Sequence, residues 1–155
     1  MSALPVALVP GVPALLPAYS SLEDPVAELR AACLAAVGGL GPRVRILASG
    51  PSGGRVAAAL VEAAGAAVVE DGETGVLVVG NGSAKRTEKA PGHFDPRAEE
   101  FDAGLRRTFA GIDAALAAEL WADTDCLGVL PPLDEAEVTY DDAPFGVQYW
   151  VARWR

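Results

Sequence analysis

Short apolar runs alternate along this chain with longer segments of helical period. Residues 4–9 (Leu-Pro-Val-Ala-Leu-Val) are a continuous apolar run that predicts a short buried strand, and the prolines at 10, 13 and 17 predict a loop of restricted backbone. Ser20 or Ser21, followed by Glu23, Asp24 and Pro25, predicts a helix start. Val26, Leu29, Ala32, Cys33, Ala36 and Val37 then recur at helical spacing until Gly38-Gly39 ends the pattern. A second strand is predicted over 44–48. The glycine-rich turn Ser49-Gly50-Pro51-Ser52-Gly53-Gly54 follows, then an alanine-rich helix over 55–64 with Ser52 as its cap. Residues 66–69 predict a short strand and 75–79 a clearer one, after the turn Asp71-Gly72-Glu73.

The next 18 residues, 80–97, are the longest polar stretch, with three glycines and two prolines. A segment of that length inside a compact domain is usually functional or disordered. Phe101, Leu105, Phe109, Ile112, Leu116 and Leu120 mark the buried stripe of a helix over 98–120, with a break at Gly111. Two strands, 136–140 and 147–154, flank the turn Asp141-Asp142-Ala143-Pro144-Phe145-Gly146. Strands alternating with helices, then a closing pair of strands, predict one α/β domain over 1–155. It would have three layers, a mixed, largely parallel central sheet and a C-terminal β-hairpin.

Composition narrows the function classes. Twelve basic against 21 acidic side chains give a net charge of −9, which argues against nucleic acid or an anionic membrane as partner. No apolar run is long enough to span a bilayer, and prolines interrupt the N-terminal segment where a secretory signal would be continuous. Cys33 and Cys126 are too far apart for a zinc knuckle or a redox motif, so cytoplasmic free thiols are expected. A single histidine, His93, excludes a self-contained two-histidine metal site. The turn at 49–54 lies where backbone amides hold anions, yet it has neither the lysine nor the spacing of a phosphate loop, and a tight strand-to-helix turn is the plainer reading.

Several segments, in order, resemble one superfamily. These are Val9-Pro10-Gly11-Val12-Pro13, Ile46-Leu47-Ala48-Ser49-Gly50-Pro51-Ser52-Gly53, Val79-Gly80-Asn81-Gly82-Ser83-Ala84 with its continuation through Ala90-Pro91-Gly92-His93-Phe94-Asp95-Pro96-Arg97, and Tyr140-Asp141-Asp142-Ala143-Pro144-Phe145-Gly146-Val147-Gln148-Tyr149. Together they are similar to the class III extradiol ring-cleavage dioxygenases of the B-subunit type and to the Memo-like proteins that share their fold, and in particular to short actinobacterial-type members. The resemblance implies a strand-end site in which two histidines and a carboxylate hold Fe(II) while a third histidine moves protons. Here the first two histidine positions carry Gly11 and Gly53, and the third carries Ala84. None of these side chains can ligate a metal or carry a proton. Asp125 and Cys126 are the residual candidates near the remaining ligand position, and a carboxylate with a thiol but no imidazole is a poor Fe(II) site. The expectation is therefore a non-catalytic relative without Fe(II) or another cofactor, acting as a small-ligand-binding or assembly protein. The rivals are an iron-independent enzyme using Asn81, Ser83, Lys85 and Glu88, and a ring-cleavage dioxygenase completed by a partner chain.

The segment 80–97 holds both lysines. Lys85, Arg86, Lys89 and Arg97 outnumber Glu88 and Asp95 there, so it is locally basic in an acidic chain. A small anionic ligand would contact Asn81, Ser83, Lys85, Lys89 and His93; the plain alternative is a solvated face, with His93 an ordinary loop histidine. The adjacent Asp141 and Asp142 read as turn residues rather than metal ligands. The C-terminus is aromatic (Phe145, Tyr149, Trp150, Trp154). In the last strand Val147, Tyr149 and Val151 alternate with Gln148, Trp150, Ala152 and Trp154, so both faces carry large apolar groups, which predicts either cover on both sides or a homodimer contact through Trp150 or Trp154.

Overall fold

The computed structural model describes residues 4–16, 26–88 and 90–155. Its apolar runs become the strands of one six-stranded sheet: Val6–Val9 (β1), Arg43–Leu47 (β2), Ala67–Val68 (β3), Gly75–Val79 (β4), Glu137–Asp142 (β5) and Tyr149–Trp154 (β6). The spatial order is β3-β2-β4-β1-β6-β5. β1, β2, β3 and β4 pair in parallel, whereas β6 runs antiparallel to both β1 and β5. The continuous apolar runs belong to the central strands, because a strand buried on both faces has no position left for a polar side chain. Ala7, Val9, Leu77, Val79, Tyr149 and Val151 face one layer, where Ala27–Gly38 (α1) and Gly50–Ala63 (α2) cover them. Leu8, Val78, Trp150, Ala152 and Trp154 face the other, under Ala98–Arg107 (α3) and the short turns 127–129 and 133–135. The three-layer α/β arrangement is as the sequence predicts.

β6 is thus covered within the chain on both sides. Trp150 is fully buried, with Phe109 edge-on at 6.4 Å, and Trp154 donates its indole N–H to Pro132 O at 3.2 Å. The two apolar faces reflect a central strand, and neither tryptophan is available for a dimer contact.

Other boundaries move for physical reasons. The predicted helix start at Ser20 to Pro25 lies outside the described residues. α2 begins at Gly50, five residues before the expected point, with Gly50 itself at φ +72. Ser52 therefore lies inside the first turn and is not the cap; Ser49 holds the N-cap position without a capping hydrogen bond. Glycines in a helix cost up to about 1 kcal/mol each against alanine, but Gly53 is buried where only glycine leaves the neighbours undisturbed. The helix expected over 98–120 divides into α3 and Ala114–Glu119 (α4), with Gly111 at φ +68 in the turn between them. Asp113 caps α4 by accepting the Leu116 N–H at 3.0 Å. Asp141 and Asp142 are not turn residues but the end of β5, facing Trp150 and Tyr149 in register.

Candidate functional site

β1, β2 and β4 end together, and α/β sheets place ligands beyond the carboxyl ends of such strands. The chain leaving β1 passes close to the first turn of α2. A Cβ built on Gly11 would lie 3.3 Å from Gly53 Cα and 3.1 Å from Val79 Cγ1, and one built on Gly53 would lie 3.2 Å from the same Val79 methyl. Two of the three positions where the resemblance would put histidines are thus neighbours, and the space between them is filled by backbone and by Val79. Ala84, the third, is buried in the cluster beneath α1 and α2.

Beside these glycines sits the Asp123 carboxylate, which no pattern in the sequence marks. Asn81 and Asp123 form an isolated antiparallel bridge, with N–H to O distances of 3.0 and 3.1 Å. That bridge holds the half-buried Asp123 at the strand ends, where its Oδ1 accepts the Ser49 hydroxyl at 2.7 Å. Burial pushes the Asp123 carboxyl above its ordinary range; Ser49 pulls it back and Asp125 adds to the rise. Asp125 itself is exposed. Burial also raises the Cys126 thiol, helped by Asp123 and Asp125, which disfavours the thiolate needed for ligation or nucleophilic attack. Among the described residues no group of three or more His, Cys, Asp and Glu side chains is placed to hold a metal ion. The donors present here do not fit Fe(II).

Residues 80–86 pack against the body, whereas His93, Phe94, Pro96 and Arg97 further along the segment are exposed. Gly82 N–H donates to Gln148 O, Gln148 N–H to Ser83 O, Ala84 N–H to Leu120 O and Arg86 N–H to Gly146 O. Ser83 is fully buried; its hydroxyl donates to Leu120 O at 2.8 Å and accepts the Lys85 N–H at 3.0 Å. Asn81 turns its amide onto Gly82 O. The cations are mostly committed: Arg86 pairs with Asp102 at 3.2 Å, and Arg97 pairs with Asp95 at 2.9 Å and Glu119 at 3.6 Å. Lys85 makes no ion pair among the described residues, and its ammonium lies 5.4 Å from the Trp121 ring centroid. His93 is exposed at φ 63, and Lys89 lies outside the described residues.

Behind this segment runs a polar network with no counterpart in the sequence reading. Asp102 on α3 is fully buried; it accepts the Ser83 N–H at 2.8 Å and a guanidinium N–H of Arg86. Arg86 also donates to Gln148 Oε1 at 2.8 Å, Gln148 donates to Asp141 Oδ1 at 2.7 Å, and Arg106 clamps Asp141 with two bonds of 3.0 and 2.7 Å. Burial pushes the Asp102 carboxyl up to about 6, while the Ser83 amide and Arg86 pull the other way. The network ties the 80–97 segment to α3 and to the β5–β6 pair.

No protein-family model and no curated protein matches this chain. No helix of the described residues is long and apolar enough to cross a membrane.

Proposed function

We propose that this chain is a non-catalytic relative of the class III extradiol dioxygenases, working as a binding or assembly protein in the cytoplasm without a metal cofactor. One observation carries the reading: the Gly11–Gly53 contact against Val79, which puts the chain's own packing where the resemblance would put two imidazole ligands. Charge favours assembly over small-anion binding, because Arg86 and Arg97 are already neutralised by carboxylates. The test is an anaerobic Fe(II) titration of purified untagged protein, with a catechol ring-cleavage assay on the same sample. The proposal expects neither stoichiometric binding nor cleavage. One tightly held iron per chain, lost in Asp123→Ala or Cys126→Ala, would overturn it.

The second reading, a small anionic ligand, is supported by Lys85, which has no ion-paired carboxylate among the described residues. A thermal-shift screen of carboxylates and phosphates on wild type and Lys85→Ala separates the two. A ligand at a hundred times its dissociation constant stabilises by roughly 2.7 kcal/mol. A shift of that size, lost in the variant, would favour the ligand-binding reading.

A further inference from the structure

α4 ends in a Schellman motif. Ala122 N–H donates to Ala117 O at 2.9 Å and Trp121 N–H to Ala118 O at 3.2 Å, with Trp121 in the left-handed region at φ 57. Glycine is the usual residue at that position, because any Cβ there is strained. This chain instead places an indole there and leaves it 55% exposed. Gly92 packs on it, since a Cβ there would come within 3.1 Å of the Trp121 ring, and the next residue, His93, is the other non-glycine with positive φ among those described. Phe94, next in the chain, is 54% exposed. Backbone strain spent on presenting aromatic surface to solvent points to a role for that surface.

Against α4, and joined to the Trp121 surface through Arg97, Asp95 and Lys85, lies a hollow of about 530 Å³, with Phe101, Leu105, Ile112 and Leu116 among its apolar lining. Gly104 and Gly111 keep it open; a Cβ on Gly104 would meet only Arg107 Nη2 at 3.8 Å, and one on Gly111 nothing within 4 Å. The knob and the hollow share one short helix, since Leu116 lines the hollow and Trp121 follows the helix end. Arg97 joins them, lining the hollow while pairing with Glu119. At the rim, Arg107, Glu100 and Asp113 make no ion pair among the described residues. Beside the knob, Lys85 likewise makes none and Glu119 is exposed.

We propose that this face binds a second copy of the chain as a two-fold dimer, Trp121 of each copy entering the α3–α4 hollow of the other. Shape and charge both select a second copy. An apolar knob meets an apolar hollow, Lys85 comes to the rim carboxylates Glu100 and Asp113, and Arg107 comes to Glu119. A knob and hollow on one face close into a pair by exchanging contacts, whereas features on opposite faces would propagate head to tail. Tryptophan is also among the residues that most often dominate interface energies. The dimer does not depend on whether the strand ends bind iron.

Sedimentation of the full chain from 2 to 200 µM tests it, on wild type, Trp121→Gly and Gly104→Phe. Trp121→Gly installs the residue that the Schellman motif favours, and Gly104→Phe fills the hollow from an open helix position. Wild type should be a dimer, and each variant should weaken the dissociation constant at least tenfold, with the far-UV circular dichroism of Trp121→Gly unchanged from wild type. Arg107→Glu supplies the same hollow-side readout should Gly104→Phe not fold. A monomer at all concentrations, a dimer that either side's variant leaves intact, or mass growing without limit would each overturn the proposal.

Discussion

Replacing Arg86 by methionine removes the guanidinium but keeps an apolar stem in place, so the perturbation is mainly the loss of a charge partner. It leaves Asp102 fully buried with only the Ser83 amide as donor, and it leaves Gln148 Oε1 without its 2.8 Å partner. Breaking a buried ion pair from one side costs about 3–5 kcal/mol; the partial exposure of Arg86 argues for the lower end, about 3 kcal/mol at pH 8. The loss depends on pH. Because burial raises the folded carboxyl from 3.8 to about 6, its stabilising contribution is fully present below the ordinary value and is lost as pH rises through about 6. That displacement corresponds to roughly 1 kcal/mol gained by wild type from this group between pH 8 and pH 5. Without Arg86 the carboxyl rises further, and a protonated Asp102 no longer needs a cation, so the variant's deficit should shrink at pH 5. Urea unfolding followed by tryptophan fluorescence at both pH values measures this, with Asp102→Asn as the control that removes the group's pH dependence. A deficit that is equal at pH 5 and pH 8, or under about 1 kcal/mol at pH 8, would refute the reasoning.

The same network and core give sharper single-site expectations. Gly82→Ala would put a Cβ 2.4 Å from Asp102 Oδ1 and should destabilise by about 3 kcal/mol or more in the same urea assay; a wild-type midpoint would contradict the packing. Phe109→Ala removes the ring set edge-on against Trp150 and should cost about 3–5 kcal/mol, with a changed tryptophan emission reporting the lost contact. Cys33 is fully buried with its thiol pushed up to about 12, so a thiol reagent at pH 8 should reach it only after unfolding, and Cys126 should react more slowly than free cysteine. Two thiols titrating at the rate of free cysteine in the native protein would sink that expectation.

The central strands were legible because burial on both faces leaves a local signature: Val6–Val9 and Gly75–Val79 are continuous apolar runs and nothing else in the chain competes for them. The start of α2 was not, because glycines and a proline have poor helix propensity and read as a loop. Among them Gly53 is explained by its neighbour, since it must stay small against Val79. The mutual contact of the strand-end glycines Gly11 and Gly53 is a fact of packing and has no sequence signal. No local signal in the sequence separates Asp123 from Asp125, because the two differ only in place. The bridge to Asn81, 42 residues earlier in the numbering, turns one toward the strand ends while the other stays exposed. The polar composition of 80–97 leaves a ligand-contacting loop and a solvated face equally open; the packing of Gly82, Ser83 and Arg86 comes from Asp102 and Gln148, partners no local window contains.

Gly11 and Gly53 are packing residues, and the Gly11→His, Gly53→His double variant tests this most directly, by urea unfolding together with an anaerobic Fe(II) titration. Overpacking costs about 1–3 kcal/mol per site, so the variant should be at least about 2 kcal/mol less stable than wild type and should gain no stoichiometric iron. Adding Val79→Ala should recover part of the lost stability, since its Cγ1 is the shared obstacle at 3.1 and 3.2 Å. A double variant of wild-type stability that binds one Fe(II) per chain, and loses it with Asp123→Ala, would contradict the packing role of these glycines.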